Sequence, residues 1–88
     1  MNLINMGRGG SINPERVLMV ASLTSAPIKR FVSDLASDKI INMTYGYPRR
    51  SIIIFDNGMI AVTRYDVEQL TTAIRMGKEV NYNENIPF

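Results

Sequence analysis

Two adjacent arginines, Arg49 and Arg50, stand between a Tyr45-Gly46-Tyr47-Pro48 turn signal and the apolar run Ile52-Ile53-Ile54-Phe55. An arginine side chain is a planar, permanently charged fork whose donors fit phosphate oxygens or the edge of a guanine. Beside a turn, such a pair suits an anionic partner. It suits equally well a charged rim that keeps a sheet soluble and discourages edge pairing. Strand geometry alternates side chains, so the pair straddles two faces unless the turn is bent. On residue types alone, the solvated rim is the plainer account.

Other chemistry has little footing. The chain holds no cysteine and no histidine, so disulfides, thiolate metal sites, the commonest zinc ligand and the commonest general base are all missing. Ser11, Ser22 and Ser25 therefore lack the histidine that would activate a serine nucleophile. The carboxylates are spread over turns and helix starts, where capping accounts for most of them, and no spacing asks for a catalytic acid pair. Gly7-Arg8-Gly9-Gly10 invites a phosphate-loop reading, but the Walker spacing is absent and a strand rather than a helix follows. A tight turn between two strands explains it. No enzymatic activity, metal or cofactor is expected.

The elements that must position the arginines can be read from periodicity and turn chemistry. Leu3 to Met6 is a short strand candidate stopped by the glycine stretch up to Ser11, and Val17 to Ala21 has the unbroken apolar pattern of a buried strand. Ser25 stands as an N-cap before Pro27, whose missing N–H costs nothing in a first helical turn. Ile28, Phe31, Val32 and Leu35 then form one apolar face of a helix ending near Asp38. Lys29 and Arg30 lie beside that face close to the helix start, where cations oppose the macrodipole, which suggests that something else uses them.

Ile40 to Thr44, Arg50 to Phe55 and Met59 to Thr63 follow as strands, the last two joined by Asp56-Asn57-Gly58, a strong hairpin signal. Asp66 and Gln69 make a capping box that opens a second helix with Val67, Leu70 and Ile74 on one face, and Gly77 closes it. The order β-β-α-β-β-β-α gives an α+β domain with a small, largely antiparallel sheet and two helices. Residues 1–77 form a single domain, and the polar, aperiodic residues 78–88 are expected to be a mobile tail.

At 88 residues there is room for one core only. The apolar runs are far too short to span a bilayer, and Met1 to Gly10 has no signal-peptide pattern, so the expected location is the cytoplasm without membrane contact. Net charge is only +2, yet it is unevenly spread. Residues 1–50 carry seven Lys/Arg against three acids, while residues 51–88 carry three against five. Such polarity is the footprint of a basic surface for nucleic acid or an anionic membrane, though a weak one when taken alone.

Ser25-Ala26-Pro27-Ile28-Lys29-Arg30 (SAPIKR), with Ile4 to Gly9 upstream, Glu15-Arg16-Val17, and Thr44-Tyr45-Gly46 downstream, resembles the RemA family of bacterial biofilm-matrix regulators. The resemblance runs in order from about Ile4 to Ile74. It implies a cytoplasmic, non-enzymatic transcriptional regulator of matrix genes with a fold similar to LytTR-type DNA-binding domains. It also implies a ring-shaped homo-oligomer, larger than a dimer, that presents a repeated basic surface to double-stranded DNA. The family's DNA-contacting arginines correspond to Arg16 and to the region after Thr44-Tyr45-Gly46. In the family pattern Arg-Arg follows Tyr-Gly directly; here Tyr47-Pro48 intervenes and Arg49-Arg50 comes next. That shift of two residues preserves the strand face but not the reach. Arg8 replaces an apolar aromatic position of the family and adds charge to the basic rim.

With the resemblance, the functional reading of the arginine pair overtakes the rim. The expected DNA-contacting set is Arg16, Arg49, Arg50, Lys29, Arg30 and Arg8, with neither metal nor small-molecule cofactor. Two alternatives remain open: an oligomeric adaptor that binds protein partners, and an RNA-binding module in which Tyr45 and Tyr47 stack on bases.

Overall fold

The computed structural model describes residues 3–7 and 10–77. Arg8 and the tail expected beyond residue 77 lie outside the described residues. The chain runs through β1 (Ile4–Asn5), β2 (Ser11–Ile12), β3 (Val17–Ser22), α1 (Ala26–Ser33), β4 (Ile40–Asn42), β5 (Ser51–Phe55), β6 (Ile60–Thr63) and α2 (Val67–Met76). The α+β class and both helices agree with the sequence reading. The glycine stretch is followed by a strand, β2, which pairs antiparallel with β1 in a hairpin. β1 lies within the strand read over Leu3 to Met6, whereas β2 was passed over, because two residues carry no periodicity.

A four-stranded sheet in the order β3-β5-β6-β4 forms the middle of the molecule. β3 with β5, and β5 with β6, are antiparallel, whereas β4 runs parallel to β6. The sheet is therefore mixed, with antiparallel pairs in the majority. β3 and β4 are parallel edge strands joined through α1, and the β5–β6 hairpin is inserted between them, a split β-α-β arrangement. Among the described residues no further strand pairs with either edge. Leu18 is the extra residue of a bulge, because Val17 pairs with Phe55 while Met19 pairs with Ile54.

The central strands read as continuous apolar runs because helices or the hairpin cover both of their faces. On one face Ile52, Ile60, Val62 and Ala21 pack under Leu23, Ile28, Val32 and Leu35 of the α1 segment. On the other, Ile53 and Ala61 join Ile4, Met6 and Ile12 of the hairpin with Met43, Tyr65, Leu70 and Ala73. Side-chain alternation along β5 and β6 thus divides one sheet between two apolar layers.

α1 ends at Ser33, short of Asp38. The Leu35 N–H bonds the Val32 carbonyl at 3.2 Å, tightening the last turn, and Ala36 is extended. Leu35 reaches the core from beyond the helix. Phe31, expected on the apolar face, is 42% exposed. Ser25 holds the N-cap position without a side-chain cap bond. Pro27 removes one of the donors that such a cap would use. The second helix matches its sequence signals fully: Gln69 N–H donates to Asp66 Oδ1 at 2.7 Å, Asp66 N–H to Gln69 Oε1 at 3.0 Å, and Gly77 is left-handed at φ 65°.

Candidate functional site

β4 ends beside Val62, on one side of β6, but β5 begins on the other side of β6. Residues 44–50 must therefore pass over the C-terminal end of β6, and that crossing carries the arginines. It begins with a tight turn in which the Tyr47 N–H bonds the Thr44 carbonyl at 3.1 Å. Its two central residues, Tyr45 and Gly46, have φ of 54° and 89°. Glycine accepts such an angle freely; a tyrosine does so only where its surroundings impose it. Asn42 anchors the turn's start, its Oδ1 accepting from the Thr44 hydroxyl at 2.6 Å and the Thr44 N–H at 2.9 Å.

The other end of the crossing is tied to two strands. Arg50 N–H bonds the Thr63 carbonyl at 2.8 Å, and the Arg50 carbonyl accepts from Leu23 N–H at 3.0 Å. Next to it, the wholly buried Ser51 and Thr63 hydroxyls lie 2.9 Å apart, and both bond the Tyr65 carbonyl. Arg50 is thus held between β6 and the strand leading into α1, while its side chain and that of Arg49 are exposed. Leu23 opens the connection to α1, which therefore starts at this end of the sheet, and Lys29 and Arg30, also exposed, stand about one turn into it.

None of these four cations has an acidic partner among the described residues. Arg16 does not join them. It enters β3 at the opposite end, where its carbonyl accepts from Asp56 N–H at 2.9 Å and its Nη1 lies 3.0 Å from Asp56 Oδ2. That hydrogen bond and the carboxylate's charge raise the already high pKa of Arg16. The five residues of β5 separate Asp56 from Arg50, a span of roughly 20 Å at the rise of a strand. An apolar groove of about 640 Å³, lined by Ile12, Ile41, Met43, Phe55 and Met59, opens beside Arg16. Among the described residues no group of acidic side chains is placed to hold a metal ion.

Sequence reasoning missed Arg64. It was counted only as part of an acidic half, yet it follows β6 directly and lies beneath the crossing, 5% exposed. Its guanidinium carbon is 4.6 Å from the centroid of the Tyr47 ring and 5.1 Å from that of Tyr65. Its Nη2 also donates to the Tyr65 hydroxyl at 3.1 Å. Arg64 and Tyr47 are far apart in sequence, and only the crossing of β6 brings them together.

Comparison with known proteins bears on the family of the chain. The family model described as "Extracellular matrix regulatory protein A-like" matches residues 3–74. A relative from Carboxydothermus hydrogenoformans is 36% identical over 87 residues, covering 97% of each chain. One from Dictyoglomus turgidum is 36% identical over 78 residues, covering 88% of this chain and 92% of its own. Another, from Gloeothece citriformis, is 35% identical over 86 residues, covering 97% and 98%. Each bears a name that says regulatory protein and specifies no target.

Proposed function

From the premise that this chain belongs to the RemA-like family and has a regulatory role, we propose that it regulates transcription by binding double-stranded DNA. The observation that carries the reading is that Arg49 and Arg50 on the crossing, and Lys29 and Arg30 on the helix that starts from the same end of the sheet, are all exposed and without acidic partners among the described residues. Solvated rim charges are ordinarily interspersed with acids. Four cations on an anchored backbone make a positive surface that duplex phosphates would neutralise, with release of condensed counterions. Contacts of this kind fix register and orientation without reading bases.

Arg16 is a second contact point on this reading. It exchanges Asp56 for a phosphate when DNA is present, at a distance of about six phosphates along one strand. The subunits assemble into a closed ring larger than a dimer, which repeats the cationic end around its circumference. Apolar side chains on the two edge strands support this: Leu18 is 69% and Met19 44% exposed on β3, and Ile41 is 45% exposed on β4. Two unlike edges meeting head to tail generate a ring when the rotation closes. The regulated genes are those of the biofilm matrix, in keeping with the family's description.

One observation favours single-stranded RNA as a second reading. Tyr45 is 58% exposed beside the cations, a position from which its ring can stack on an unpaired base. Fluorescence anisotropy with a labelled duplex and its unpaired strand separates the readings. The expected result is salt-sensitive binding that favours the duplex. Binding restricted to single strands would move the function to RNA, and binding to neither would leave a protein adaptor.

A further inference from the structure

Residues 46–49 of the crossing lie between the Thr44 turn and the Arg50 anchor, and the displayed arginines depend on how this stretch is held. Pro48 fixes its own φ and restricts Tyr47 to extended conformations, but neither effect attaches the stretch to the core. The Tyr47 ring supplies the attachment by lying against the Arg64 guanidinium. Arg64 is gripped in turn by Tyr65, which is 1% exposed and whose hydroxyl donates to the Met6 carbonyl at 3.4 Å. A continuous path of contacts therefore runs from the β1 segment through Tyr65 and Arg64 to Tyr47, two residues before Arg49.

We propose that Arg64, held between the rings of Tyr47 and Tyr65, is the positioning residue of the arginine crossing and a fixed positive charge beneath it. The inference rests on the DNA-binding reading and names what makes that surface rigid. A guanidinium suits the task because it stays charged at every working pH, stacks flat against a ring and still offers in-plane donors. Cation–π attraction strengthens when the pair is shielded from water, as at the 5% exposure of Arg64. Its charge also adds to the potential felt by a phosphate at Arg49 and Arg50, in a low-dielectric setting that screens it poorly. Arg49 and Arg50 thus lose less conformational freedom on meeting DNA than they would on a free loop.

Tyr47→Ala tests this with little risk to the fold, because Tyr47 is only half-buried and lies in a loop. The variant should bind duplex DNA about tenfold more weakly, with a salt slope shallower by about 0.9, one phosphate contact. Trypsin, which cuts after arginine, should cleave at Arg49 and Arg50 faster than in the parent, in the absence of DNA. Tyr47→Phe keeps the ring and should restore all three readouts. Arg64→Lys keeps the charge but loses the flat stacking surface, and should fall on the Tyr47→Ala side. Unchanged tryptic rates for Tyr47→Ala would overturn the positioning role, whatever DNA does. Unchanged affinity and slope for Tyr47→Ala, with both lowered for Arg49→Ala/Arg50→Ala, would overturn it while leaving the DNA reading intact. Were the double arginine variant also to bind as the parent does, the DNA reading would fail, and this inference with it.

Discussion

Removing both displayed arginines, as Arg49→Ala/Arg50→Ala, separates a DNA contact from a solvated rim. The backbone at Arg50 is fixed by its own N–H to Thr63 and its carbonyl to Leu23, and alanine keeps both bonds. The two side chains are exposed, so their loss should change stability by no more than about 0.5 kcal/mol. For a domain of this size that is a melting shift of at most about 4 °C. Each phosphate contact contributes about −0.9 to the slope of log affinity against log salt, so the double variant should be shallower by about 1.8 per engaged subunit. Between 50 and 200 mM salt, the parent should therefore lose about 12-fold more affinity per engaged subunit than the variant. Anisotropy titrations at four salt concentrations, on two unrelated duplexes, measure this. Both duplexes should show the same change, because phosphate contacts are blind to sequence. A guanine-reading arginine would instead cost about 1–3 kcal/mol at one base position. Unchanged affinity and unchanged slope would refute the reasoning and return the pair to a charged rim.

The anchoring of the crossing makes Ser51→Ala costly. It removes a wholly buried hydroxyl from Thr63 and the Tyr65 carbonyl, and should lower stability by about 1–2 kcal/mol, a melting shift of about 4–16 °C at constant protein concentration. Pro27→Ser should loosen the start of α1, which already lacks a side-chain cap, and weaken DNA binding only through lost stability or assembly. A variant that keeps its melting temperature and oligomeric mass yet loses DNA would contradict that structural role. Light scattering at micromolar concentration should give a mass more than twice the 9.9 kDa of the chain, and a monomer mass would dismiss the ring.

Local signals in the sequence translated directly into structure. The Asp66–Gln69 box, the Gly77 stop and the Asn57-Gly58 hairpin each depend on residues within one turn of one another, and each formed as the residue types demand. What depends on distant partners was hidden. The parallel register of β4 with β6 follows from α1 carrying the chain across the sheet, and no feature of Ile40 to Asn42 announces it. The exposure of Phe31 reflects an apolar layer already filled by Ile28, Val32 and Leu35, where helical periodicity alone counted all four.

The candidate site divides in the same way. Arg49, Arg50, Lys29 and Arg30 were visible as charges; the crossing over β6 carries the first two, and α1, which starts from the same end of the sheet, carries the others. Arg16 was visible too, but β3 enters the sheet at the far end, so its distance from the others could not be read from the chain. Arg64 sits at a strand end among acids in sequence, and its partnership with Tyr47 exists only because the crossing lays one over the other.

Hydrogen-exchange mass spectrometry of the full chain with and without duplex DNA tests the central claim most directly, because it reports which end of the sheet meets the duplex. The account predicts slower exchange on DNA binding in segments 23–31 and 44–51, which carry Lys29, Arg30, Arg49 and Arg50, with a smaller effect around Arg16. Protection confined to the β1–β2 hairpin and α2, or no protection at DNA concentrations far above those of the anisotropy titrations, would contradict it.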